Sequence, residues 1–543
     1  MRSSIRHCLL LSLVFLVGPA CQGSTLVEPS PGAKPPVSSF AFALSDEPRT
    51  LDPGLITDTY GGFFASNLFE GLLVWDAAGQ KTLPGAAERY EVSPDGKTWT
   101  FHLRREGIWS NGDTVTATDF LVAWRRVLNP SFQSDYASLL FPIKGARALA
   151  EGQEVSAATL GVEVRDRFTL VVTLESPTPW FDAIVAHHVA SPVNSAALKR
   201  HGYAWWQPGR IVVNGPFQLH EWTPGESIVL RKNPYFHGAT AVKLQEVIAK
   251  LVSDPEEVVR LYEAGELHWT GNAGHLPPGR LSELASRPDA HSSAELGTAW
   301  LWVNIDVAPL SDSRVRRALS LALDRTVLAQ ALGPGDLVTA RMVPLGMPDY
   351  VPPDAPKPGD DAAKALFADA GFPRGRGFPG IELAVDSRPI HRRLAKAVAE
   401  RWTHVLGIKV TTYERNYGAH AEAVRNGEYQ IGRGGWLGDY PDPSSFLELL
   451  ESDNALNASG WSDGGFDALV QEARRTDDAS SRLRLLSRAE SLLLEQAPII
   501  PLYHFGALSL LKPYVTGFVD NPLQVHLLRY LEMTDEGPSM GAG

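Results

Sequence analysis

The chain has 543 residues, which is enough for two or three domains built around large hydrophobic cores. Its formal net charge of −12 excludes a general affinity for nucleic acid or for an anionic membrane surface. The 14 tryptophans are a high count, and the flat, partly polar indole suits clefts as well as cores. Both cysteines, Cys8 and Cys21, lie near the N-terminus, so the body has none for a disulfide, a zinc site or a thiol nucleophile.

Residues 1–21 have the pattern of a lipoprotein signal peptide. Two arginines precede the apolar run 9–17, which has the length of a signal peptide and is too short to cross a bilayer as a helix. The small residues before Cys21 resemble a bacterial lipobox, in which the cysteine is lipidated and becomes the mature N-terminus, although Gly18 stands where leucine is usual. A secretory signal cut near Ala20 and a transmembrane anchor are the alternatives.

Residues 22–39 are rich in Pro, Ser and Gly and are predicted to form a flexible tether. An anchor at Cys21, a tether and a body without cysteine predict a protein on the periplasmic or cell-envelope side. Contact with a membrane is expected only through this lipid anchor, and stable anchoring would need more than one acyl chain because a single chain binds weakly.

From Phe40 onward the hydrophobic pattern is that of an α/β protein. The turn signal Ser93-Pro-Asp-Gly96 separates two alternating runs and predicts a hairpin. Thr118 is a candidate cap for the helix that follows. In chain order the predicted elements are a strand at 40–44, a helix at 61–68, strands at 87–92 and 98–103, and a helix at 115–128.

The stretch Arg433-Gly-Gly-Trp-Leu-Gly-Asp439-Tyr-Pro-Asp-Pro443 is predicted to be a loop between an apolar run ending at Ile431 and an amphipathic segment. Its glycines free the backbone for a close approach, and its prolines stop regular structure. Arg433 and Asp439 are spaced so that the loop would suit a zwitterion with an ammonium at one end and a carboxylate at the other. The alternative is a surface loop whose Asp442 caps the next helix.

The run WTFHLRREGIWSNGDTVTATDF, residues 99–120, resembles the signature of the extracytoplasmic solute-binding proteins for oligopeptides, the receptors of peptide ABC importers. The resemblance extends from about Phe40 to about Tyr530. Further segments that are similar to this family follow in the same order, at 50–53, 69–72, 134–138, 212–217, 230–235, 314–325 and 497–503.

The resemblance implies an α/β, two-lobed periplasmic binding protein fold (type II, large peptide-binder class) with a ligand cleft between the lobes. The N-terminal lobe is expected to be discontinuous, formed by residues 40–68, 196–300 and 507–535. An inserted domain typical of peptide binders is expected at 69–195, and the C-terminal lobe at 301–506. Closure of the lobes would be a hinge motion around the ligand.

The resemblance also implies roles for particular residues. Asp439 occupies the position of an aspartate that pairs with the free ammonium of a peptide, and a buried ammonium needs such a charged partner. Arg433 matches an arginine that contacts the peptide carboxylate, and His391 matches a histidine near the C-terminal end of longer peptides. Together they favour peptides of three to five residues over dipeptides. The alternatives are an ion-pair partner for Arg433 and a solvent-exposed helix-terminal histidine for His391.

Tolerance of different side chains is expected to come from backbone pairing, in which the peptide is added like a strand. The run 298–304, which includes Trp302 and Asn304, alternates in strand fashion and lies where the family does this. Peptide side chains would enter roomy, water-filled pockets. Each candidate pocket wall could equally belong to the core: Tyr136, Tyr417, Trp436 and Tyr503.

Two departures from the family pattern stand out. Asp386 lies where a family member can have a neutral asparagine, and the apolar Leu437 precedes Gly438 in the key loop. We hypothesise that an extra carboxylate near the distal end of the peptide favours basic side chains there or disfavours a nearby carboxylate.

Motifs of the common enzyme classes are absent from the sequence, with no HExxH, GxSxG or P-loop. Residues 375–380 fit the spacing GxGxxG, but they precede an apolar run, whereas a dinucleotide site needs a strand before and a helix after. Adjacent His187 and His188 would not face one side of a helix or strand, so a metal role is not expected.

The sequence therefore predicts a monomeric binding protein with no catalytic residues, cofactor or metal. It would deliver oligopeptides to ABC permease subunits in the inner membrane. Within the family, dipeptides, nickel chelates, haem and sugars are alternative ligands. Outside the transport receptors, the alternative function is that of a peptide-sensing or chaperone-like lipoprotein without a transport role.

Overall fold

The structure is a computed structural model that describes residues 39–534 except 154–158, 272–275, 330, 334, 455 and 477. The predicted signal peptide, the lipidation site Cys21 and the tether up to residue 38 lie outside the described residues. Among the helices that are described, none combines the length and the apolar character that crossing a bilayer requires.

The strands within the described ranges are, in chain order, β1 (Ser39–Leu44), β2 (Leu73–Trp75), β3 (Thr82–Pro84), β4 (Ala87–Val92), β5 (Thr98–Leu103), β6 (Val162–Asp166), β7 (Thr169–Thr173), β8 (Phe217–Thr223), β9 (Ser227–Lys232), β10 (Glu246–Leu251), β11 (Ala290–Val303), β12 (Leu337–Val338), β13 (Ile381–Asp386), β14 (Val410–Arg415), β15 (Ile431–Leu437), β16 (Ile499–Leu510), β17 (Val515–Thr516) and β18 (Glu532–Met533).

The α-helices are α1 (Thr59–Leu68), α2 (Ala117–Val127), α3 (Ala146–Ala150), α4 (Phe181–Ala186), α5 (Ser195–His201), α6 (Pro255–Glu263), α7 (Leu281–Ala285), α8 (Ser313–Ala322), α9 (Asp360–Asp369), α10 (Pro389–Leu406), α11 (Tyr417–Arg425), α12 (Ser444–Leu447), α13 (Gly464–Arg474) and α14 (Ala479–Gln496).

Three larger sheets organise these elements. The first has the strand order β1-β10-β9-β8, with β1 parallel to β10. The second is antiparallel, in the order β4-β5-β7-β6, and lies within the predicted inserted domain. The third is mixed, in the order β12-β16-β11-β15-β13-β14. Two small two-stranded sheets are also present among the described residues, and the α/β prediction is confirmed.

The hairpin predicted around Ser93-Pro-Asp-Gly96 is confirmed, and its strands β4 and β5 have the predicted bounds. Gly96 has φ 69° and its N–H donates to the Ser93 carbonyl at 2.8 Å. This left-handed conformation is the one in which glycine carries no steric penalty. The local turn chemistry therefore sets the register of the pair.

The predicted cap of α2 was wrong by two residues. The helix begins at Ala117, and Thr116 is its N-cap. The backbone N–H and the hydroxyl of Thr116 both donate to Asp119 Oδ2, at 2.9 and 3.0 Å. Because Asp119 lies three residues after Thr116, the two form a capping box, and Thr118 lies inside the first turn.

The long strands β11 and β16 join two parts of the molecule. They pair along most of their length, with register shifts between Ala294 and Thr298 and between Ala299 and Trp300. Near the end of β16, the Thr270 N–H donates to the Leu510 carbonyl at 3.0 Å. Trp269 in turn bridges to Phe42 on β1. Residues 300 and 506, the predicted lobe boundaries, fall inside these strands, so that division of the chain stays a prediction.

The third sheet has an apolar layer on each face. Leu301 and Val303 on β11 pack in a cluster with α8, α9 and α10. Trp300 and Trp302 point to the opposite face, because side chains alternate along a strand, and they pack with α13 and α14. The sheet is therefore the middle of three layers, and the ends of its strands carry the candidate site.

Candidate ligand-binding site

The stretch that begins at Arg433 was predicted to be a loop, and this was wrong for its first half. Arg433 to Leu437 belong to β15, which pairs antiparallel with β11. A Cβ on Gly434 would lie 2.8 Å from Trp300 Nε1 and closer still to Trp302 Nε1. The glycine therefore makes room for the indoles of the neighbouring strand, and the loop begins only after Leu437.

Asp439 lies in the loop just after β15 and is half-buried. Its backbone N–H donates to Ser445 Oγ at 3.0 Å, which holds the loop against α12. Burial raises the pKa of the Asp439 carboxyl to about 7, and a hydrogen bond from the Tyr136 hydroxyl lowers it in part. Burial and the charge of Asp439 both raise the pKa of Tyr136. The structure thus brings together two residues that the sequence singled out.

His187 and His188 also surround Tyr136, and sequence reasoning missed them. Their ring centroids lie 4.0 Å apart and 5.3 and 5.9 Å from the Tyr136 ring. The rule that adjacent side chains do not share one face applies within a helix or strand, and it does not apply here because His187 ends α4 in an extended conformation and His188 opens a short 3-10 helix. Burial lowers the pKa of His188 to about 4 and that of His187 well below its usual value.

Within the described ranges, no group of three or more His, Cys, Asp or Glu side chains is arranged to hold a metal ion. The two neutral imidazoles instead form an aromatic wall beside Tyr136. The adjacent histidines in the sequence were the signal that could have indicated this wall.

Arg433 points to the opposite face of the sheet from Trp436, toward Tyr503 on β16. A side-chain hydrogen bond joins the guanidinium to the Tyr503 hydroxyl. Burial raises the pKa of Tyr503, and the charge of Arg433 works against this rise. Arg433 Nε is buried and meets no acceptor among the described residues. The group can therefore donate to an anion that enters from outside the chain.

Asp386 and His391 are partners of each other. Asp386 ends β13, and each of its carboxylate oxygens lies 2.8 Å from His391 Nδ1 on α10. Arg388 Nε donates to the same carboxylate at 2.9 Å. Burial works to raise the pKa of Asp386, but these two donors hold it well below its usual range. The Asp386 carboxylate is thus paired within the chain, and the hypothesis that it favours basic side chains or disfavours a nearby carboxylate stays a prediction.

His391 is 3% exposed, so the alternative of a solvent-exposed histidine was also wrong. Burial lowers its pKa to about 4, although the hydrogen bond to Asp386 works in the other direction. Because the neutral ring donates through Nδ1, its Nε2 carries a lone pair.

Arg388 is a cleft residue that sequence reasoning missed. Its guanidinium carbon lies 5.0 Å from the centroid of the Tyr417 ring, and Tyr417 is 60% exposed. Its charge also lowers the pKa of Tyr60 on α1, against the stronger raising effect of burial. The spacing Asp386-x-Arg388 at the end of a strand was the signal that could have indicated this pair.

Trp302 and Asn304 belong to the scaffold. Trp302 is 6% exposed, and its ring lies 5.3 Å from that of Trp300 at 84°. Asn304 Nδ2 donates to the carbonyls of Gly427 and Tyr429, at 3.1 and 2.9 Å. The amide therefore holds the turn before β15.

The prediction that the run 298–304 pairs with a peptide backbone was wrong. β11 is an inner strand, with Thr298 paired to Trp436 on one side and to His504 on the other. Among the described residues, the far half of β15 has no strand partner on the side away from β11, because β13 pairs with β15 only as far as Gly432; we call this the free edge of β15. Beyond that point, His420 Nε2 contacts the Arg433 carbonyl at 2.8 Å.

Comparison with known proteins places this geometry in a family. The profile described as "Bacterial extracellular solute-binding proteins, family 5 Middle" matches residues 81–457. The chain is 34% identical to a probable deoxycholate-binding periplasmic protein of Escherichia coli over 90% of its length and 92% of that protein. It is 33% identical to the periplasmic oligopeptide-binding protein OppA of the same organism, over 87% of its length and 88% of that protein.

Solved structures agree with the fold. A periplasmic oligopeptide-binding protein from Borrelia burgdorferi has a TM-score of 0.82 at 29% identity, covering 91% of this chain and all (100%) of that one. The murein tripeptide binding protein MppA of Escherichia coli also has a TM-score of 0.82 at 29% identity, covering 92% and 99%. The two-lobed periplasmic binding protein fold is thereby confirmed, and the chain belongs to the bacterial extracellular solute-binding proteins of family 5.

Proposed function

We propose that this protein is the solute-binding component of an ABC importer and captures oligopeptides of about three to five residues. The observation that carries the proposal is the Asp439 carboxyl, half-buried beside Tyr136, whose pKa burial raises to about 7. Among the described residues no cation pairs with this carboxylate, and the ammonium of a peptide would supply both the charge and hydrogen bonds.

The carboxylate end of the peptide goes to Arg433. Its guanidinium has a neutral partner in Tyr503, and its Nε meets no acceptor among the described residues. His391 can donate to a carboxylate through Nε2 only when it is protonated, since Nδ1 is held by Asp386. We therefore assign shorter peptides to Arg433, and longer ones to His391 together with its neighbour Arg388.

The peptide backbone pairs with the free edge of β15. The Arg433 carbonyl faces this edge, and the peptide groups of Gly435 and Leu437 face the same way because the strand has a period of two. A peptide added here places its ammonium beyond Leu437, in the direction of Asp439. Such pairing reads the backbone and leaves the side chains free to vary.

We propose that the protein works in the periplasm or on the cell-envelope side as a lipid-anchored monomer, with the anchor at Cys21. The relatives named above are described as periplasmic. The closed protein would dock on permease subunits of the inner membrane, whose ATPase supplies the energy. We assign the chain a role in binding and transport, without catalysis. The alternative function is peptide sensing by a lipoprotein that takes no part in transport.

A bile acid is the second candidate ligand, since a relative at 34% identity is named a probable deoxycholate-binding protein. Deoxycholate carries a carboxylate but no ammonium. It could contact Arg433, but it would leave Asp439 without a cation. The chemistry of the site therefore favours a peptide.

Native mass spectrometry of the protein purified without denaturation tests the proposal. We expect bound masses of short peptides, which disappear after unfolding and refolding and are absent from Asp439→Ala. The matched control is Asp361→Ala, which removes a fully exposed carboxylate on α9 and should retain the peptides.

The stripped protein completes the test in a thermal-shift assay. Free tripeptides should raise its melting temperature because a ligand that binds only the native state stabilises it. A shift with deoxycholate and none with tripeptides would overturn the proposal.

A further inference from the structure

Two consecutive residues of the loop after β15 contact the predicted inserted domain. Asp439 accepts a hydrogen bond from the Tyr136 hydroxyl, and the next residue, Tyr440, stacks on Trp180. The centroids of these two rings lie 6.3 Å apart, with 14° between the ring planes. Trp180 lies directly before α4, in the same predicted domain as Tyr136. The loop that carries Asp439 is therefore joined to that domain at two neighbouring points.

Arg482 on α14 adds a cation to the second of these points. Its guanidinium carbon lies 4.7 Å from the centroid of the Trp180 ring, which is within the range of a cation–π contact. Its Nη1 donates to Asp442 of the same loop at 3.1 Å. Because Asp442 holds the guanidinium in place, Trp180 meets a fixed pair of groups, one aromatic and one cationic. We call Trp180, Tyr440 and Arg482 the latch.

Apolar side chains surround the latch. Tyr440 is 5% exposed and packs in a cluster with Trp75, Ala183 and Leu527, and Trp180 borders this cluster. Burial raises the pKa of the Tyr440 hydroxyl well above its usual value, so the hydroxyl stays neutral near pH 7. The stacking of the two rings therefore does not depend on the titration of Tyr440.

Two backbone hydrogen bonds hold the base of the same loop. The Gly438 N–H donates to the Leu296 carbonyl on β11 at 2.7 Å, and the Asp439 N–H donates to Ser445 Oγ at 3.0 Å. Both bonds fix the loop to β11 and to the start of α12, and neither involves the predicted inserted domain. The latch therefore does what these bonds do not do, since it ties the loop to that domain.

The two contacts with the predicted inserted domain differ in how a ligand affects them. The ammonium that we assign to Asp439 competes with the Tyr136 hydroxyl for one carboxylate. The rings of Trp180 and Tyr440 contact each other and take no part in the contacts that we assign to the ligand. The latch can therefore stay formed while the polar contact beside it is exchanged for the ammonium.

We propose that Trp180 is a positioning residue that latches the predicted inserted domain onto the loop carrying Asp439, and thereby sets how long a peptide stays bound. This inference rests on the proposed function, which assigns the peptide ammonium to Asp439. A hinge motion that opens the cleft must separate Trp180 from Tyr440 and Arg482 before the peptide leaves. The latch therefore slows dissociation. Association begins in the open form, in which the latch is not made, so its rate stays nearly the same.

Stopped-flow kinetics with Ala-Ala-Ala on the stripped protein tests this assignment. Trp180→Ala should raise the dissociation rate about tenfold, because it removes both a stacked ring and a cation–π contact, and should change the association rate less than about twofold. Trp180→Phe keeps a ring and should restore most of the slow dissociation. Should Trp180→Ala not fold, Trp180→Leu, which keeps apolar volume without a ring, carries the test.

Trp206→Ala is the matched control. Trp206 is also half-buried, and its ring lies 6.2 Å from that of Trp222 on β8, so the variant removes a similar aromatic pair from another part of the chain. Both rates should be the same in this variant as in the unaltered protein.

Small-angle X-ray scattering gives a second readout, for which no ligand is needed. With less to hold the loop against the predicted inserted domain, the stripped Trp180→Ala protein should have a larger radius of gyration than the unaltered protein. Trp180→Phe should lie between the two, and Trp206→Ala should match the unaltered protein. A residue that only supports its own domain would not change this radius in a variant that stays folded.

The failure of this inference is distinguishable from that of the proposed function. An unchanged dissociation rate in Trp180→Ala overturns the latch and leaves the peptide receptor intact. A fall in the association rate as large as the rise in the dissociation rate also overturns it, because Trp180 would then act on the open form. Absence of binding by every tripeptide overturns the proposed function, and equal radii of the stripped unaltered and Trp180→Ala proteins would then overturn the latch as well.

Discussion

Asp52 and Asp439 both lie in loops, but their surroundings differ. Asp52 is 1% exposed and accepts from Arg126 Nη1 at 2.6 Å, Trp205 Nε1 at 2.9 Å and the Gly54 N–H at 3.1 Å. Asp439 is half-buried, and Tyr136 is the side chain that donates to it. Asp52 therefore has a charged partner within the chain, whereas no charged partner of Asp439 is found among the described residues.

The arginines Arg482 and Arg433 show the same difference. Arg482 Nη1 donates to Asp442 at 3.1 Å, and its guanidinium lies 4.7 Å from the centroid of the Trp180 ring. Arg433 shares a hydrogen bond with the neutral Tyr503. The comparison teaches that charges paired with an opposite charge inside the chain hold the fold together, and that a charge with only a neutral partner among the described residues is a candidate for the ligand.

The largest effect is expected at Asp52. Asp52→Asn removes the charge that compensates Arg126, and breaking a buried pair typically costs about 3–5 kcal/mol. We expect a loss of this size in the free energy of unfolding from denaturant titration. The folded fraction should bind tripeptides normally, and a stable variant with weakened binding would break the comparison.

Asp439→Asn should have the next largest effect, but on binding. The amide keeps the shape of the carboxyl and loses the charge that pairs with an ammonium, so affinity for a free tripeptide should fall about 100-fold. Calorimetry on the stripped protein measures this change. The control Asp361→Asn should bind as the unaltered protein does, and an Asp439→Asn protein that retains full affinity would contradict the assignment.

The pH dependence of stability sharpens the comparison further. Because the pKa of Asp439 in the folded protein is raised to about 7, its contribution to stability is complete below the unfolded pKa and is lost as the pH rises through 7. After allowance for solvent in the cleft, we expect Asp439→Asn to stabilise the empty protein by about 1–2 kcal/mol at pH 8 and hardly at pH 4.

Thermal or denaturant unfolding at both pH values measures this difference. The comparison with the variant cancels the contributions of other buried acids, such as Glu295, whose pKa burial raises to about 7. A destabilised Asp439→Asn protein at pH 8 would show that the carboxylate is paired within the fold after all.

The smallest effect is expected at Arg433. Arg433→Gln keeps a donor but removes the charge, so affinity for a free-acid tripeptide should fall about tenfold. Tripeptides with a C-terminal amide lack the carboxylate and should bind both proteins alike. An equal loss for the acid and the amide in a calorimetric titration would place Arg433 in the scaffold.

The parts of the fold that were predicted correctly depend on local chemistry. The hairpin β4–β5 follows from alternating side chains and the Pro-Asp-Gly turn, which act within a few residues of one another. The helix α2 was also predicted, with its cap displaced because Thr116 and Asp119 act as a pair.

The errors have nonlocal causes. The glycines of β15 were interpreted as loop residues, whereas Gly434 lies in a strand to accommodate indoles that are more than a hundred residues away in the sequence. The pairing of Asp386 with His391 and the position of β11 between two strands also depend on tertiary contacts. Asp439 and Tyr136 were each singled out by resemblance, and their meeting depends on how the lobes close.

The most direct test of the central claim is a calorimetric cycle with Ala-Ala-Ala and its N-acetyl derivative, on the stripped protein and on Asp439→Asn. If Asp439 holds the free ammonium, acetylation should weaken binding to the unaltered protein about 100-fold and weaken binding to the variant far less. Equal affinities of the unaltered protein for the two peptides would contradict the account.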